Sequence, residues 1–194
     1  MASQLQRTHP LQTRLQSLEQ LPDGFRVAVD PFLTMTDLRF PPGGPARDAV
    51  TAVLGVTPPT QPNTWVRVGA GAVIWLGPDE WLVVSELAAP ETQETGLRAA
   101  VIPFGGAAVD VSGQRVSLTL RGRHVRDVLA KGCALDLHHT VFRPGSSAQT
   151  TVGLAGVVLL ANDDPGEFTV LVRQSFASYL ADWLIDAAEE FRPV

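Results

Sequence analysis

The sequence predicts an α+β fold made of two duplicated strand-and-helix halves, with helices packed on mixed or antiparallel sheets. Three observations carry this prediction. Val116, Leu118 and Leu120 alternate with Ser117, Thr119 and Arg121, the period-2 pattern of a strand with one buried face. After a break at Gly122, Val125, Val128 and Leu129 fall at i, i+3, i+4, a short helix that Lys131 and Gly132 close. Short blocks then recur in the same order in both halves. Ala28-Val29-Asp30 matches Ala108-Val109-Asp110, Arg47-Asp48-Ala49-Val50 matches Arg126-Asp127-Val128-Leu129, and the turn at 78–81 matches that at 165–168. Two such halves bury their apolar sheet faces best against each other, or in one shared sheet with the helices outside.

In chain order, residues 1–24 read as an N-terminal arm and 25–194 as one duplicated domain, with halves at about 25–104 and 105–194. In the arm, Leu11, Leu15 and Leu18 sit at i, i+4, i+7, the stripe of a short helix that packs either on its own core or on a partner. Asp23-Gly24 ends it as a turn. A strand follows from Phe25 to Val29, then an Asp30-Pro31 break and apolar alternation from Phe32 to Phe40. Pro41-Pro42-Gly43-Gly44-Pro45 is a loop. It is no phosphate cradle, because proline supplies no N–H and neither the Lys nor the Ser/Thr of a P-loop follows.

Arg47 to Leu54 repeats the short-helix pattern, and Pro58, Pro59 and Pro62 make a stiff connector. Trp65 to Val68, Val73 to Leu76 and Trp81 to Val84 read as strands, with a turn at Gly77-Pro78-Asp79-Glu80 and a helix from Glu91 to Val101. The second half resumes at Ala107. Beyond the central strand and helix come strands near Ala148–Val152, Gly156–Leu160 and Phe168–Val172, the last two joined by the turn 162–166. The final helix starts at Ser175 as N-cap, and Phe176, Tyr179, Leu180, Trp183, Leu184, Ala187 and Phe191 trace its apolar face.

A chain of 194 residues that is 45% apolar and 18% charged is a folded globular protein. Its net charge of −5, with no Lys/Arg block, offers no footprint for nucleic acid or an anionic membrane. The longest apolar run, Val152 to Ala161, contains two glycines and is about half the length that spans a bilayer. A single cysteine leaves no internal disulfide or Cys-based zinc site. With an N-terminus that lacks a signal-peptide core, this suits a cytoplasmic location.

Candidate chemistry is sparse. Cys133 follows a helix C-terminus, the wrong pole for a thiolate, and reads as packed. His138-His139 is no metal pair, since adjacent side chains diverge in a helix or strand. Asp163-Asp164-Pro165-Gly166 is a hairpin turn. Trp75, Trp81, Phe168, Tyr179 and Trp183 either line a flat-ring pocket or form core. Arg115, in the turn after Ser112-Gly113, and Arg173-Gln174 are the best exposed polar candidates for a ligand or partner subunit. No nucleophile–base pair, metal cluster or nucleotide fingerprint is present.

Five blocks carry a family resemblance: Gly77 to Val83 (GPDEWLV), Asp110 to Arg115 (DVSGQR), Arg126 to Leu137 (RDVLAKGCALDL), Phe142 to Gly145 (FRPG) and Arg173 to Tyr179 (RQSFASY). In this order, over roughly residues 25–191, the chain resembles the gamma subunit of heterotetrameric sarcosine oxidase, within the folate-binding aminomethyltransferase-like superfamily. The resemblance implies an aminomethyltransferase folate-binding-like domain that supports a complex demethylating sarcosine oxidatively to glycine.

It implies that the largest subunit carries NAD and a folate-binding domain, that a second carries FAD, with covalent FMN between them, that tetrahydrofolate is also held on other subunits, and that this chain binds no cofactor. The alpha subunit is then the main partner, with beta and delta in the same complex. The implied docking elements are Leu11 and Leu15 of the arm, Arg115, and Arg173 with Gln174. Two departures bear on chemistry. Folate-processing relatives carry carboxylates after a Gly-containing strand, where Gly156 to Leu160 here offers only aliphatic side chains, so acid/base work loses its agent. The Lys131-Gly132-Cys133 triplet is similar to a motif of iron–sulfur maintenance relatives but lacks the Gln-Glu that follows it there. The alternative is a stand-alone folate-binding or one-carbon-transfer protein; a third reading is a free-standing interaction module.

Overall fold

A computed structural model describes residues 8–193. A 3-10 turn, Gln12–Arg14, leads into α1 (Leu15–Glu19), β1 (Arg26–Val29), β2 (Thr34–Arg39), α2 (Pro45–Leu54), β3 (Trp65–Val68), β4 (Gly71–Gly77), β5 (Glu80–Ser85) and α3 (Pro90–Val101). Then follow β6 (Ala107–Asp110), β7 (Arg115–Arg121), α4 (Val125–Ala130), β8 (Ser147–Val152), β9 (Ala155–Ala161), β10 (Glu167–Arg173) and α5 (Gln174–Ala188). Among the described residues, ten strands make two five-stranded sheets, β1-β7-β10-β9-β8 and β3-β4-β5-β2-β6. Every pairing is antiparallel.

Read from opposite ends, the two strand orders are the same, and the duplication is visible in them. The lead strands are exchanged: β1 opens the first half but borders β7, while β6 opens the second half but borders β2. The likeness reaches individual residues. Arg39 pairs with Glu80 across β2 and β5 at 2.7 Å, and Arg121 pairs with Glu167 across β7 and β10 at 2.6 Å, in the same ladder position.

This register corrects one expected match. Ala28-Val29-Asp30 and Ala108-Val109-Asp110 are one residue out of step. The Asp30 amide donates to Ser117 O at 3.1 Å as the Val111 amide donates to Met35 O at 2.8 Å, so Asp30 corresponds to Val111. Three identical letters do not set a register; the ladder does.

The sheets pack face to face with helices on both outer sides. One outer core lies between the first sheet and α1, α4 and α5, and holds Val116, Leu118, Leu120, Leu159, Phe168 and Leu184. The opposite outer core lies under α2 and α3, around Leu38, Val50, Val73, Trp81, Leu97 and Val101. Between the sheets sit Met35, Trp65, Ile74, Leu82, Val158, Leu160 and Leu171. The continuous apolar run of β9 follows from this layering: Val157 and Leu159 face the helices while Val158 and Leu160 face the second sheet.

Of the two settings open to the arm, it packs on its own chain: Leu11 and Leu18 are buried in the second-half core, and Arg14 makes two 3.1 Å hydrogen bonds to Asp182 of α5. A further expectation changes. In α5, Arg173, not Ser175, holds the N-cap position, with no side-chain cap. β10 runs straight into the helix, and the Gln174 amide is satisfied by Gln114 O at 3.0 Å, a tertiary contact in place of a cap. The buried face of α5 is Ala177, Leu180, Ala181, Leu184, Ala187 and Ala188. Phe176, expected on that face, is 42% exposed.

Candidate functional site

The inter-sheet layer opens as a cleft of about 270 Å³. One wall is the inner face of the first sheet, where Ser117, Thr119, Arg121, Glu167 and Thr169 stand in line. Trp65, Arg67, Gly71, Ala72, Val84 and Glu86 form the other wall, and Asp30 and Leu33 close it. The polar side of β7 is therefore not a solvated surface, as its alternation suggests, but the lining of an internal cleft.

Most of the cleft's charge is engaged within the chain. Asp30 accepts hydrogen bonds from the hydroxyl of Ser117 and from Thr119 Oγ1, the latter at 3.0 Å. Glu167 takes Arg121 at 2.6 Å and the Asn162 amide at 2.8 Å, and Arg67 reaches across to Asp163 at 2.8 Å. Trp65 donates from Nε1 to Ala161 O at 3.1 Å, fixing its ring at the inter-sheet seam. Among the described residues lining the cleft there is no His, Cys, Lys or Tyr. A carboxylate bonded to two hydroxyls ties β1 to β7. Asp30→Ala should therefore lower stability by about 1–3 kcal/mol in urea unfolding, because the buried Ser117 hydroxyl loses its acceptor.

The structure brings Arg115 and Arg173 together. They are direct cross-strand neighbours at the end of the β7–β10 ladder, and Gln174 follows at the start of α5. Among the described residues neither guanidinium has an ion pair or a side-chain hydrogen bond. Burial, and then the charge of Arg173, holds Arg115 below the ordinary arginine value against the opposing pull of Asp37 and Glu80. Both line a shallow groove with Gln149, Thr150, Gly156, Val157 and Phe176. Leu11 is remote from any surface, being fully buried, whereas Leu15 is exposed.

The other candidates resolve by packing. Trp81 and Phe168 are core, and Trp75 packs in the outer core under α2 and α3. Tyr179 and Trp183 lie against Gly153 and Gly132. None of the five lines the cleft, where Trp65 supplies the aromatic surface among the described residues. Cys133 is buried, with its sulfur 3.9 Å from Thr150 Oγ1. The rings of His138 and His139 do not diverge as expected but lie 4.2 Å apart, because they sit in an irregular segment. Among the described residues no group of three or more His, Cys, Asp or Glu could hold a metal ion, and no helix is long and apolar enough to cross a membrane.

Sequence reasoning missed Asp30, read as a strand break, and the cleft role of Ser117 and Thr119. The available signal was chemical: short hydroxyls, rather than long charged side chains, on the polar side of a strand.

Residues 43–190 match the model of the "Sarcosine oxidase, gamma subunit family". The sarcosine oxidase subunit gamma of Corynebacterium sp. (strain U-96) is 36% identical over 162 residues, covering 82% of this chain and 77% of that one. The Arthrobacter sp counterpart is 35% identical over 163 residues, covering 82% and 78%. A chain of the heterotetrameric sarcosine oxidase from Corynebacterium sp. U-96, solved with pyrrole 2-carboxylate, superposes with a TM-score of 0.89 at 30% identity over 97% of both chains. The aminomethyltransferase T of the glycine cleavage system from Bartonella henselae shares the fold, with a TM-score of 0.64 at 15% identity over 92% of this chain and 50% of that one.

Proposed function

We propose that this chain, which belongs to the sarcosine oxidase gamma subunit family, is a non-catalytic subunit that supports assembly and stability of a heterotetrameric sarcosine oxidase. The observation that carries this reading is the agreement with a chain of such an oxidase over 97% of both lengths. The cleft adds to it: Asp30 and Glu167 are bonded to neighbours of the same chain, and the strand 156–160 supplies only aliphatic side chains. Sarcosine is then demethylated oxidatively to glycine on other subunits, which carry FAD, FMN, NAD and tetrahydrofolate. The alpha subunit is the main contact, beta and delta complete the assembly, and the complex works in the cytoplasm. Leu15, Arg115, Arg173 and Gln174 remain as docking residues on this reading. Leu11 drops out because its own core covers it.

Co-expression tests the reading. The other three subunits produced without this chain should give several-fold less assembled, flavinylated oxidase than the full set, measured by flavin absorbance of the tetramer fraction. Equal yield and thermal stability without it would end the proposal. One observation favours the alternative of a stand-alone folate-binding protein, namely the cleft of about 270 Å³ with Asp30 at its edge. Titration of the isolated chain with tetrahydrofolate decides between them. Absence of stoichiometric binding is expected, and tight one-to-one binding would favour the alternative.

A further inference from the structure

We propose that the groove at the Arg115–Arg173 end of the first sheet is a docking site for an acidic segment of a partner subunit, the two guanidinium groups together taking its carboxylate. This rests on the subunit reading above. The β7–β10 ladder is asymmetric in charge. At one end Arg121 faces Glu167 and pairs with it; at the other Arg115 faces Arg173, also on the inner side of the sheet. Like charges directly opposite each other destabilise a sheet. Opposite charges were open to this architecture, because Glu86 holds the position of Arg173 in the first half, next beyond the Thr34–Ser85 pair that corresponds to Val116–Val172.

The acidic groups nearby do not resolve the pair. Glu80 is bonded to Arg39 at 2.7 Å, and Asp37 lies 3.8 Å from Arg39; both exert only a long-range pull on Arg115. Two arginines side by side match a carboxylate with forked N–H donors, at a place where one lysine would give a point charge.

The groove has the shape for a peptide rather than a lone anion. Its volume is about 580 Å³, with Gln149, Thr150 and Thr151 of the edge strand β8 along one side and the exposed ring of Phe176 at the other. Gly156 leaves a gap in the rim: a side chain built there meets nothing within 4 Å. The occupant is accordingly an extended stretch carrying Asp or Glu, with an apolar neighbour against Phe176.

The test compares complexes captured through a tag on this chain. R173E sets a carboxylate across from Arg115, so the thermal midpoint of the isolated chain should hold or rise, while retention of the partner subunits falls about tenfold or more. Gly156→Tyr should leave the midpoint unchanged and reduce retention similarly, by filling the groove. A benzophenone side chain placed at position 156 should cross-link to a partner peptide containing at least two acidic residues. Retention by R173E equal to the wild type, or a cross-linked peptide without Asp or Glu, overturns the docking site and leaves the subunit reading standing. If the wild-type chain captures no other subunit, both fall together.

Discussion

Gly132→Val should destabilise the chain by about 3 kcal/mol or more, read as a lowered midpoint in urea unfolding; overpacking of a close contact commonly costs 1–3 kcal/mol and more where backbone is involved. Gly132 is not kept for backbone freedom, since its φ is an ordinary one. It is kept for space. A Cβ there would lie 2.4 Å from Trp183 Cζ2 and 2.8 Å from the Gly153 amide nitrogen, and that amide is already bonded to Gly132 O at 3.0 Å. One neighbour is a half-buried indole packed against the α5 core and the other is backbone, so neither moves cheaply. Gly132→Ala combined with Trp183→Leu should recover part of the loss, with a coupling of about 1–3 kcal/mol. Strict additivity of the two would show that the indole is not what excludes the side chain.

The flanking residues follow the same logic. Lys131, expected to serve its own short helix, instead serves the last turn of α5. Its ammonium donates to Ala187 O, pairs with Glu190 at 2.8 Å and lies 5.0 Å over the Phe191 ring. Cys133 is packing. The Lys131-Gly132-Cys133 block thus joins α4, the β8–β9 turn and α5 through close packing at Gly132 and Cys133 and the polar contacts of Lys131. A family likeness read from such blocks is a likeness of packing solutions.

This also shows where sequence reading succeeds and stops. Strand and helix positions were legible because period and turn chemistry are local: the alternation of β7, the unbroken apolar run of β9 and the glycine stop after α4 each depend on a handful of neighbours. What lies against each face is not local. Nothing in Arg26 to Val29 says that the strand leaves its own half to border β7, so Asp30 could not be placed beside Ser117 and Thr119. In the sequence Arg115 and Arg173 read as two separate exposed cations. Their meeting follows only from the register of a strand pair whose members are 58 residues apart at that point. Leu11 and Leu18 were legible as a stripe, but the choice between core and partner was settled by whether α5 offered a surface to receive it.

Trp81→Ala should cost about 3–5 kcal/mol, the range for removing a large buried aromatic. Trp81 is 1% exposed, stacks on Phe40 with ring centroids 4.2 Å apart, and donates from Nε1 to Pro59 O at 2.7 Å. That hydrogen bond fastens the proline-rich connector over the outer core. The second half solves the equivalent position differently. Phe168 fills it, with the Phe142 ring parallel at 6.1 Å and the Arg126 guanidinium 4.8 Å from its centroid. Trp81→Phe, which imports the second-half solution without its partners, should therefore lose only about 1–2 kcal/mol, mainly from the orphaned Pro59 carbonyl and the vacated ring volume. Because the inter-sheet core draws on both halves, through Met35, Ile74 and Leu82 on one side and Val158, Leu160 and Leu171 on the other, a lesion at Trp81 should not melt the first half by itself. In Trp81→Ala the combined fluorescence of Trp65 and Trp75 in the first half and Trp183 in α5 should shift in a single transition, at the same urea concentration as far-UV circular dichroism. Separate transitions would mean that the duplicated halves unfold as independent units, and that the layer between the sheets contributes little to holding them together.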